Sequence, residues 1–469
     1  MHIVWLRNDL RLEDNPALYH GSTLGNICCV YVLTPKQWQA HQDAPAKIAF
    51  WRSRISTLSS ALKTLNISLH ILVQDSYTQV PQALLTLAQA LQAQSLSFNN
   101  EYPVNEKHRD EQTTALFERN HLAVHRFDGD IVIPSHRIKT LQNGNYKVFT
   151  PFSRQWHKQL TENDLQLLPA PSAQPATAFN THMIDIPPLA TWGINKNTMY
   201  RDDLWPTHDD AIHQRLHQFC RCSANPYKEQ RDIPSINGTS TLSPYLAAGM
   251  ISVRQCIAAI RHHVEDWRSN QWVTELIWRE FYRYLIDLHP HLSQSKDFIH
   301  IPKPIPWVND DALFRAWCEG KTGFPIVDAA MKQLLQTGWM HNRLRMVTAA
   351  FLTKILLIDW RKGEAFFMQH LLDGDYASNN GGWQWAASTG ADAAPYFRIF
   401  NPERQSERFD KEGIFIKKLL PELAPINAKN IHTPPSDLRL AHAYPEPIID
   451  YKWARQRALD SYATAMGKA

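Results

Sequence analysis

Short β-branched runs alternate with amphipathic helical patterns through the first 130 residues, and this alternation constrains the fold more than any other feature of the chain. Ile3–Leu6, Ile27–Leu33, Ile67–Val73, Leu96–Asn99 and Leu122–Phe127 read as strands; Ala46–Leu65, Val80–Ala93 and Asn105–Arg119 read as helices. The pattern predicts a parallel, doubly wound sheet with helices on both faces, whose ligands lie beyond the carboxyl ends of the strands. No G-x-G-x-x-G follows the first strand, where the chain runs Arg7-Asn8-Asp9-Leu10-Arg11, so an ordinary dinucleotide fold is disfavoured.

Residues 131–200 are rich in Pro, Ala, Thr and Asn and read as an interdomain linker. Beyond residue 201 strand patterns almost vanish. Helical periodicity marks Asp209–Cys220, Ser243–Val264, Gln271–Leu288, Asp311–Trp317, Pro325–Thr337, Arg343–Ile358 and Glu364–Leu371. The expectation is an α/β domain over 1–130, a linker over 131–200 and an all-helical domain over 201–469, whose helices end near 425 before a short tail.

A chain of 469 residues exceeds the roughly 250–300 that one core usually serves, which also points to two folding units. With 44% hydrophobic and 20% charged residues, it is neither disordered nor fibrous. The first ten residues lack the apolar run of a signal peptide, and the apolar stretch Val347–Trp360 is interrupted by Lys354 and too short to span a bilayer, so a cytoplasmic protein is expected. The net charge of +4 leaves any nucleic-acid binding to a local patch. Six cysteines in no metal-binding spacing, and no H-E-x-x-H among 22 histidines, give no metal site. Gly320-Lys321-Thr322 resembles a P-loop ending, but Arg315 stands where its glycine belongs. The unusual number is 16 tryptophans, nine of them between Trp267 and Trp385.

Three stretches carry chemistry. Thr239-Ser240-Thr241-Leu242-Ser243 precedes Pro244, with Ser243 expected as a hydroxyl N-cap; the run reads either as an ordinary helix start or as an anion site. Within Gln271–Leu288, Trp272, Glu275, Arg279 and Tyr282 share a face beside Trp278, which reads either as a lined cavity or as a solvated ion-paired face. On the following helical stretch Asn342, Arg345 and Met346 share one face. The segment Asp373–Trp385 combines acids, amides, paired glycines and tryptophans, and reads as a functional loop.

These stretches, with Trp5–Arg11, closely resemble the photolyase/cryptochrome family over nearly the whole chain, and within it the bacterial class I members that split cyclobutane pyrimidine dimers. The resemblance implies light-driven DNA repair by electron transfer from excited reduced FAD to a flipped-out dimer, with a cryptochrome-type blue-light photoreceptor as the alternative. It implies FAD ligands at Tyr227, Thr239, Ser240, Thr241, Leu242, Ser243, Trp272, Glu275, Arg279, Asn342, Arg345, Asp373, Gly374, Asp375 and Asn379, the last near ring nitrogen N5. DNA containing the dimer would meet Arg231, Glu275, Trp278, Asn342, Arg343, Met346, Trp385 and Arg398, with Glu275 and Asn342 on the base edges. Trp307, Trp360 and Trp383 match the family's electron-transfer chain. His41, Asn105 and Glu106 match members that bind the antenna pigment methenyltetrahydrofolate; in the partner segment Leu292-Ser293-Gln294-Ser295-Lys296 replaces the cysteine and lysine expected there, so a deazaflavin is the alternative. A monomer without membrane contact is expected. The stretch Trp339–Met346 offers no evident general acid, which favours the cyclobutane dimer over the (6-4) photoproduct.

Overall fold

The computed structural model describes residues 1–175, 186–195, 198 and 200–467. The described chain divides into two compact units: Met1–Asn225 with Ser240–Ser293 and Leu372–Ala377, and Pro226–Thr239 with Gln294–Leu371 and Ser378–Ala469.

In the first unit, strands β1 (His2–Leu6), β2 (Ile27–Leu33), β3 (Leu69–Val73), β4 (Ser95–Asn99) and β5 (Ala123–Phe127) form a five-stranded parallel sheet in the order β3-β2-β1-β4-β5. Register pairs Ile3 with Cys28 and with Leu96. Every residue of β1, β2 and β4 is buried, as in the centre of a sheet covered on both faces; β1 and β2 read accordingly as near-continuous apolar runs, whereas β4 buries Ser95, Ser97 and Asn99 as well. Helices α1 (Pro16–Leu24), α2 (Pro35–Ala40), α3 (Pro45–Thr64), α4 (Val80–Ala90) and α5 (Val104–Arg119) connect the strands. The short α1 and α2 escaped the sequence reading, since each presents too few turns to show a period; Pro at each start marks them.

The segment expected as a linker contains α6 (Phe149–Gln159), which buries Phe149, Phe152 and Trp156. Residues 176–185, part of that stretch, lie outside the described residues. Next in the chain are α7 (Asp209–Cys222) and, in the second unit, α8 (Tyr227–Gln230). The single helix expected over Ser243–Val264 is two, α9 (Ser243–Ala247) and α10 (Val253–Arg261). Gly249, at φ +62°, turns the chain where a Cβ would lie 2.0 Å from the Asn8 carbonyl oxygen, and Ser252 with Gln255 then forms a capping box that starts α10. Helix α11 spans Gln271–Leu288 as expected.

The second unit adds α12 (Asp311–Glu319), α13 (Pro325–Thr337), α14 (Asn342–Ala350), α15 (Trp360–Met368), α16 (Tyr376–Ala387), α17 (Pro402–Phe409), α18 (Ile414–Leu419), α19 (Ala428–Ile431), α20 (Ser436–Ala441) and α21 (Tyr451–Ala465). Its core gathers Trp317, Met331, Leu334, Leu352, Trp360 and Trp383. The helix expected over Arg343–Ile358 ends α-helically at Ala350 and continues as a π-turn, Phe351–Ile355. The tail beyond 425 is helical, and α21 buries Ala454, Ala458 and Tyr462. The expected functional loop Asp373–Trp385 is largely α16. Its two glycines each cost about 1 kcal/mol of helix propensity, offset by buried bonds: Asn380 Nδ2 donates to Glu364 Oε1 at 2.8 Å, and Gln384 Nε2 to Asn380 Oδ1 at 2.9 Å. The close backbone approach lies instead at Gly363, where a Cβ would sit 2.1 Å from the Trp383 ring. Gly320 is the left-handed cap of α12, as a rejected P-loop ending should be.

No helix among the described residues is long and apolar enough to cross a membrane.

Candidate flavin and DNA site

In the first unit, α11 carries a charge network. Arg279 and Arg283, one turn apart, both pair with Asp130; Arg279 also donates to the carbonyls of Asp130 (2.8 Å) and Leu246 (3.1 Å), and Arg283 pairs with Asp375 at 3.3 Å. Burial alone would raise the Asp130 carboxyl, but the two guanidiniums hold it below its ordinary range. Arg279 and Asp375 are thus brought into one network, whose centre, Asp130, was missed in the sequence. Two arginines four residues apart signal a shared acid but not which acid. Lys47 of α3, buried beside Asp43, donates to the Gly374 carbonyl at 2.7 Å, fixing the backbone between Asp373 and Asp375. Glu275 accepts from Gln271 at 2.9 Å, and Trp272 is buried against Phe219.

The Ser240–Ser243 run does not form the expected N-cap. Thr241, at φ +50°, turns the chain so that Leu242 occupies the cap and Ser243 is the first helical residue of α9. The run still meets a cation, because Arg215 of α7 donates to Thr241 Oγ1 at 2.7 Å. Hydroxyls beside a guanidinium suit a diphosphate.

Trp278 is half-buried, and Phe149 stacks on it with centroids 3.7 Å apart and planes within 6°. Next to it, Glu280 is buried and accepts from Trp156 Nε1 (2.7 Å) and the backbone N–H of Val132 (2.5 Å). Burial pushes this carboxyl up to about 7 from 4.5. In the fold it keeps its proton to higher pH than in the unfolded chain, so stability is greatest below the unfolded value and falls as pH rises through about 7. Glu280→Gln should therefore flatten the decline in urea stability between pH 5 and 8, a decline of about 3 kcal/mol at most for this shift; an unchanged slope would rule Glu280 out as its source.

His41, Asn105 and Glu106 are brought together. Asn105 Nδ2 lies 3.0 Å from His41 Nε2, His41 Nδ1 lies 3.6 Å from Glu106, and Tyr77 donates to Glu106 at 3.3 Å. Burial raises the Glu106 carboxyl. Around the carboxyl end of β1, Arg7 lies over the rings of Trp5 and Phe98, and Arg109 over those of Trp5 and Tyr77.

In the second unit, Asn379 is buried and its Nδ2 donates to the Glu364 carbonyl at 3.0 Å, which orients the amide and leaves Oδ1 as the end that can face a ligand. Tyr227 is buried at the start of α8, one turn before Arg231, and Thr239 is half-buried. On α14, Asn342 is exposed while Arg345 and Met346 are half-buried; Arg345 Nε donates to the Met340 carbonyl at 2.8 Å. Trp385 is half-buried and Arg398 exposed. His341 caps α14 with Nδ1 accepting from the Arg343 N–H at 3.2 Å; burial pushes its ring down to about 4, so it is neutral at pH 7.

Arg343 is only 15% exposed, pairs with Asp232 at 2.7 Å and lies 4.5 Å over the Phe409 ring. Its charge is already matched inside the chain, so a DNA phosphate that used Arg343 would have to displace Asp232. Asp232→Asn should tighten binding to damaged and undamaged DNA alike and steepen the salt dependence by about one released ion. Filter binding across a salt series checks this; an unchanged slope would remove Arg343 from the phosphate contacts.

The three tryptophans of the expected relay share one core: Trp360 and Trp383 are buried in it and Trp307 packs against it. The Val308 N–H donates to the Leu357 carbonyl and Asn309 Oδ1 accepts from the Asp359 N–H, which holds the strand of chain after Trp307 beside the residues preceding Trp360. Gly363 and Phe367, one and two turns beyond Trp360 on α15, contact Trp383.

A family model described as DNA photolyase matches residues 2–175, and one described as the FAD binding domain of DNA photolyase matches residues 272–464. The deoxyribodipyrimidine photo-lyase of Vibrio cholerae is 41% identical over 486 residues, covering 100% of both chains. The chain belongs to the DNA photolyase family. Among solved structures, a bacterial class III photolyase from Agrobacterium tumefaciens has 34% identity and a TM-score of 0.87, covering 99% of this chain and 98% of its own. A Synechocystis cryptochrome has 25% identity and a TM-score of 0.82, each chain covered to 98%. As a DNA photolyase, the chain is a flavoprotein lyase of DNA repair that binds FAD.

Proposed function

We propose that this photolyase splits cyclobutane pyrimidine dimers. Bound FAD supplies the light-excited electron that opens the cyclobutane ring. The protein's residues hold and expose the reactants. Ser240, Thr241, Ser243 and Arg215 take the diphosphate, with Leu242 and Thr239 beside them and Tyr227 as a further ligand. Asn379, its Nδ2 held by the Glu364 carbonyl, would hold the reduced ring by its carbonyl oxygen at N5. Trp272, Glu275, Arg279, Asn342, Arg345 and the Asp373-Gly374-Asp375 segment complete the ligand set, and the Lys47 and Arg283 bonds keep that segment in place. Trp278 and Trp385 pack against the flipped dimer, Glu275 and Asn342 hydrogen-bond its base edges, and Met346 fills the wall. Arg231, Arg343 and Arg398 take phosphates.

The observation that carries the lesion assignment is His341. Repair of a (6-4) photoproduct needs a proton donor, yet this histidine is a neutral helix cap with its Nδ1 already accepting a backbone bond. Purified enzyme illuminated with each lesion in one oligonucleotide should restore only the cyclobutane dimer; restoration of (6-4) DNA alone would overturn the assignment. Light-dependent signalling without restoration of either lesion would favour the cryptochrome reading.

For the antenna we favour methenyltetrahydrofolate at His41, Asn105 and Glu106. That cluster is assembled, whereas the side chains of Trp5, Arg7, Phe98 and Arg109 fill the end of the sheet. Ser293, within the departing segment, still accepts from the Val104 N–H at 3.3 Å. The absorption band of the purified protein separates folate from a deazaflavin. The enzyme is proposed to act as a cytoplasmic monomer.

A further inference from the structure

We propose that Asp297 is a positioning residue for electron flow, setting how readily Trp360 is oxidised; this rests on reading Trp307, Trp360 and Trp383 as a relay. Trp360 is 0% exposed, yet its Nε1 donates to Asp297 Oδ1 at 3.0 Å. The same oxygen accepts from Arg361 Nη2 at 3.1 Å, and the Arg361 guanidinium lies 4.5 Å from the Trp360 ring centroid. Arg361 is shared further with Asp359 at 3.1 Å and the Ser295 carbonyl at 2.6 Å. By contrast, Trp383 Nε1 has no partner among the described residues. Of these two buried indoles, only Trp360 has a carboxylate on its N–H.

An indole that loses an electron becomes a cation with an acidic N–H. A part-exposed carboxylate at hydrogen-bond distance from the buried ring attracts that charge, while a guanidinium near the ring opposes it. The two groups therefore act with opposite sign on one residue. In the step itself Trp360 gives one electron to oxidised Trp383, which returns to neutral. The Trp360 N–H proton stays in the bond to Asp297, shared or transferred to Oδ1. When Trp307 gives one electron back, the proton returns to Nε1, and an external thiol reductant refills Trp307. One electron enters and one leaves, with no net proton change at Trp360.

The test uses the FAD-loaded protein, oxidised, under blue light with a thiol reductant. Asp297→Asn keeps an oxygen acceptor for the indole but removes the charge, and photoreduction yield should fall about three- to tenfold. Asp297→Glu should restore most of it, and Arg361→Gln should match or exceed the parent. Transient absorption should show a shorter-lived oxidised tryptophan in Asp297→Asn. A readout independent of the flavin is the Trp360 indole N–H resonance, identified by its loss in Trp360→Phe, which should shift upfield in Asp297→Asn. If Trp360→Phe abolishes photoreduction while Asp297→Asn equals the parent, the relay stands and the role of Asp297 is wrong. A fall in Arg361→Gln would likewise overturn it. If Trp360→Phe itself matches the parent, the relay reading fails and the role of Asp297 fails with it.

Discussion

Trp383→Phe should abolish photoreduction of the oxidised flavin, while enzyme already reduced chemically should still repair dimers. The expectation follows from where Trp383 sits. It is buried in the helical core, edge-on to Phe367 at 4.9 Å and to Trp317 at 6.0 Å, with Gly363 left without a side chain to admit its ring. In the proposed relay it is the inner member, followed by buried Trp360 and half-buried Trp307. Phenylalanine keeps an aromatic ring but is much harder to oxidise, so the path is cut without opening the core. The smaller ring costs about 1–2 kcal/mol of stability, which thermal unfolding can separate from the redox effect. Photoreduction equal to that of the parent would remove Trp383 from the path.

The second large effect is on recognition. If Trp278 packs against the lesion as proposed, replacing it by Ala removes one stacking surface, worth about 1–3 kcal/mol for a base, so discrimination between dimer-containing and intact DNA should fall by roughly five- to 150-fold. Phe149→Ala should give a smaller loss of the same kind. The parallel Phe149 ring covers one face of Trp278 and holds its plane, and such a pair contributes about 0.5–1.5 kcal/mol. Neither substitution changes charge, so the salt dependence should stay that of the parent. Binding to damaged and intact oligonucleotides at two salt concentrations tests both; a steepened or flattened salt slope would mean that the variants had disturbed the arginines instead.

Much of this architecture was legible in the residues. The five strands fell within two residues of their positions: β1 and β2, buried throughout, read as continuous apolar runs, and the others as short runs of β-branched or aromatic residues between helical patterns. Gln271–Leu288 and Pro325–Thr337 were legible to the residue, each closed by strong local signals: Asn270 capping one, Pro325 and Gly338 bracketing the other. The concentration of tryptophans in the helical region, and the polar faces at Glu275–Arg279 and Asn342–Met346, were equally visible, since they depend only on composition and helical spacing.

What local sequence could not carry were features set by distant chain. The break between α9 and α10 exists because Gly249 must lie against Asn8, some 240 residues earlier. The helix at Tyr376–Ala387 forms in spite of its glycines because Glu364, on another helix, receives Asn380 and, through its carbonyl, Asn379. Arg279 and Arg343 announced themselves as cations, but only the fold assigned their carboxylates, Asp130 and Asp232, and with them how much charge each has left for a ligand. The same holds for His341 and Glu280, whose protonation near neutral pH is set by burial rather than by residue type. Sequence determined which chemistry the chain carries and on which elements, because periodicity and capping act over a few residues. Tertiary structure decided which of those groups are free, neutral or already paired, because ion pairs and desolvation depend on neighbours that only folding brings within a few ångströms.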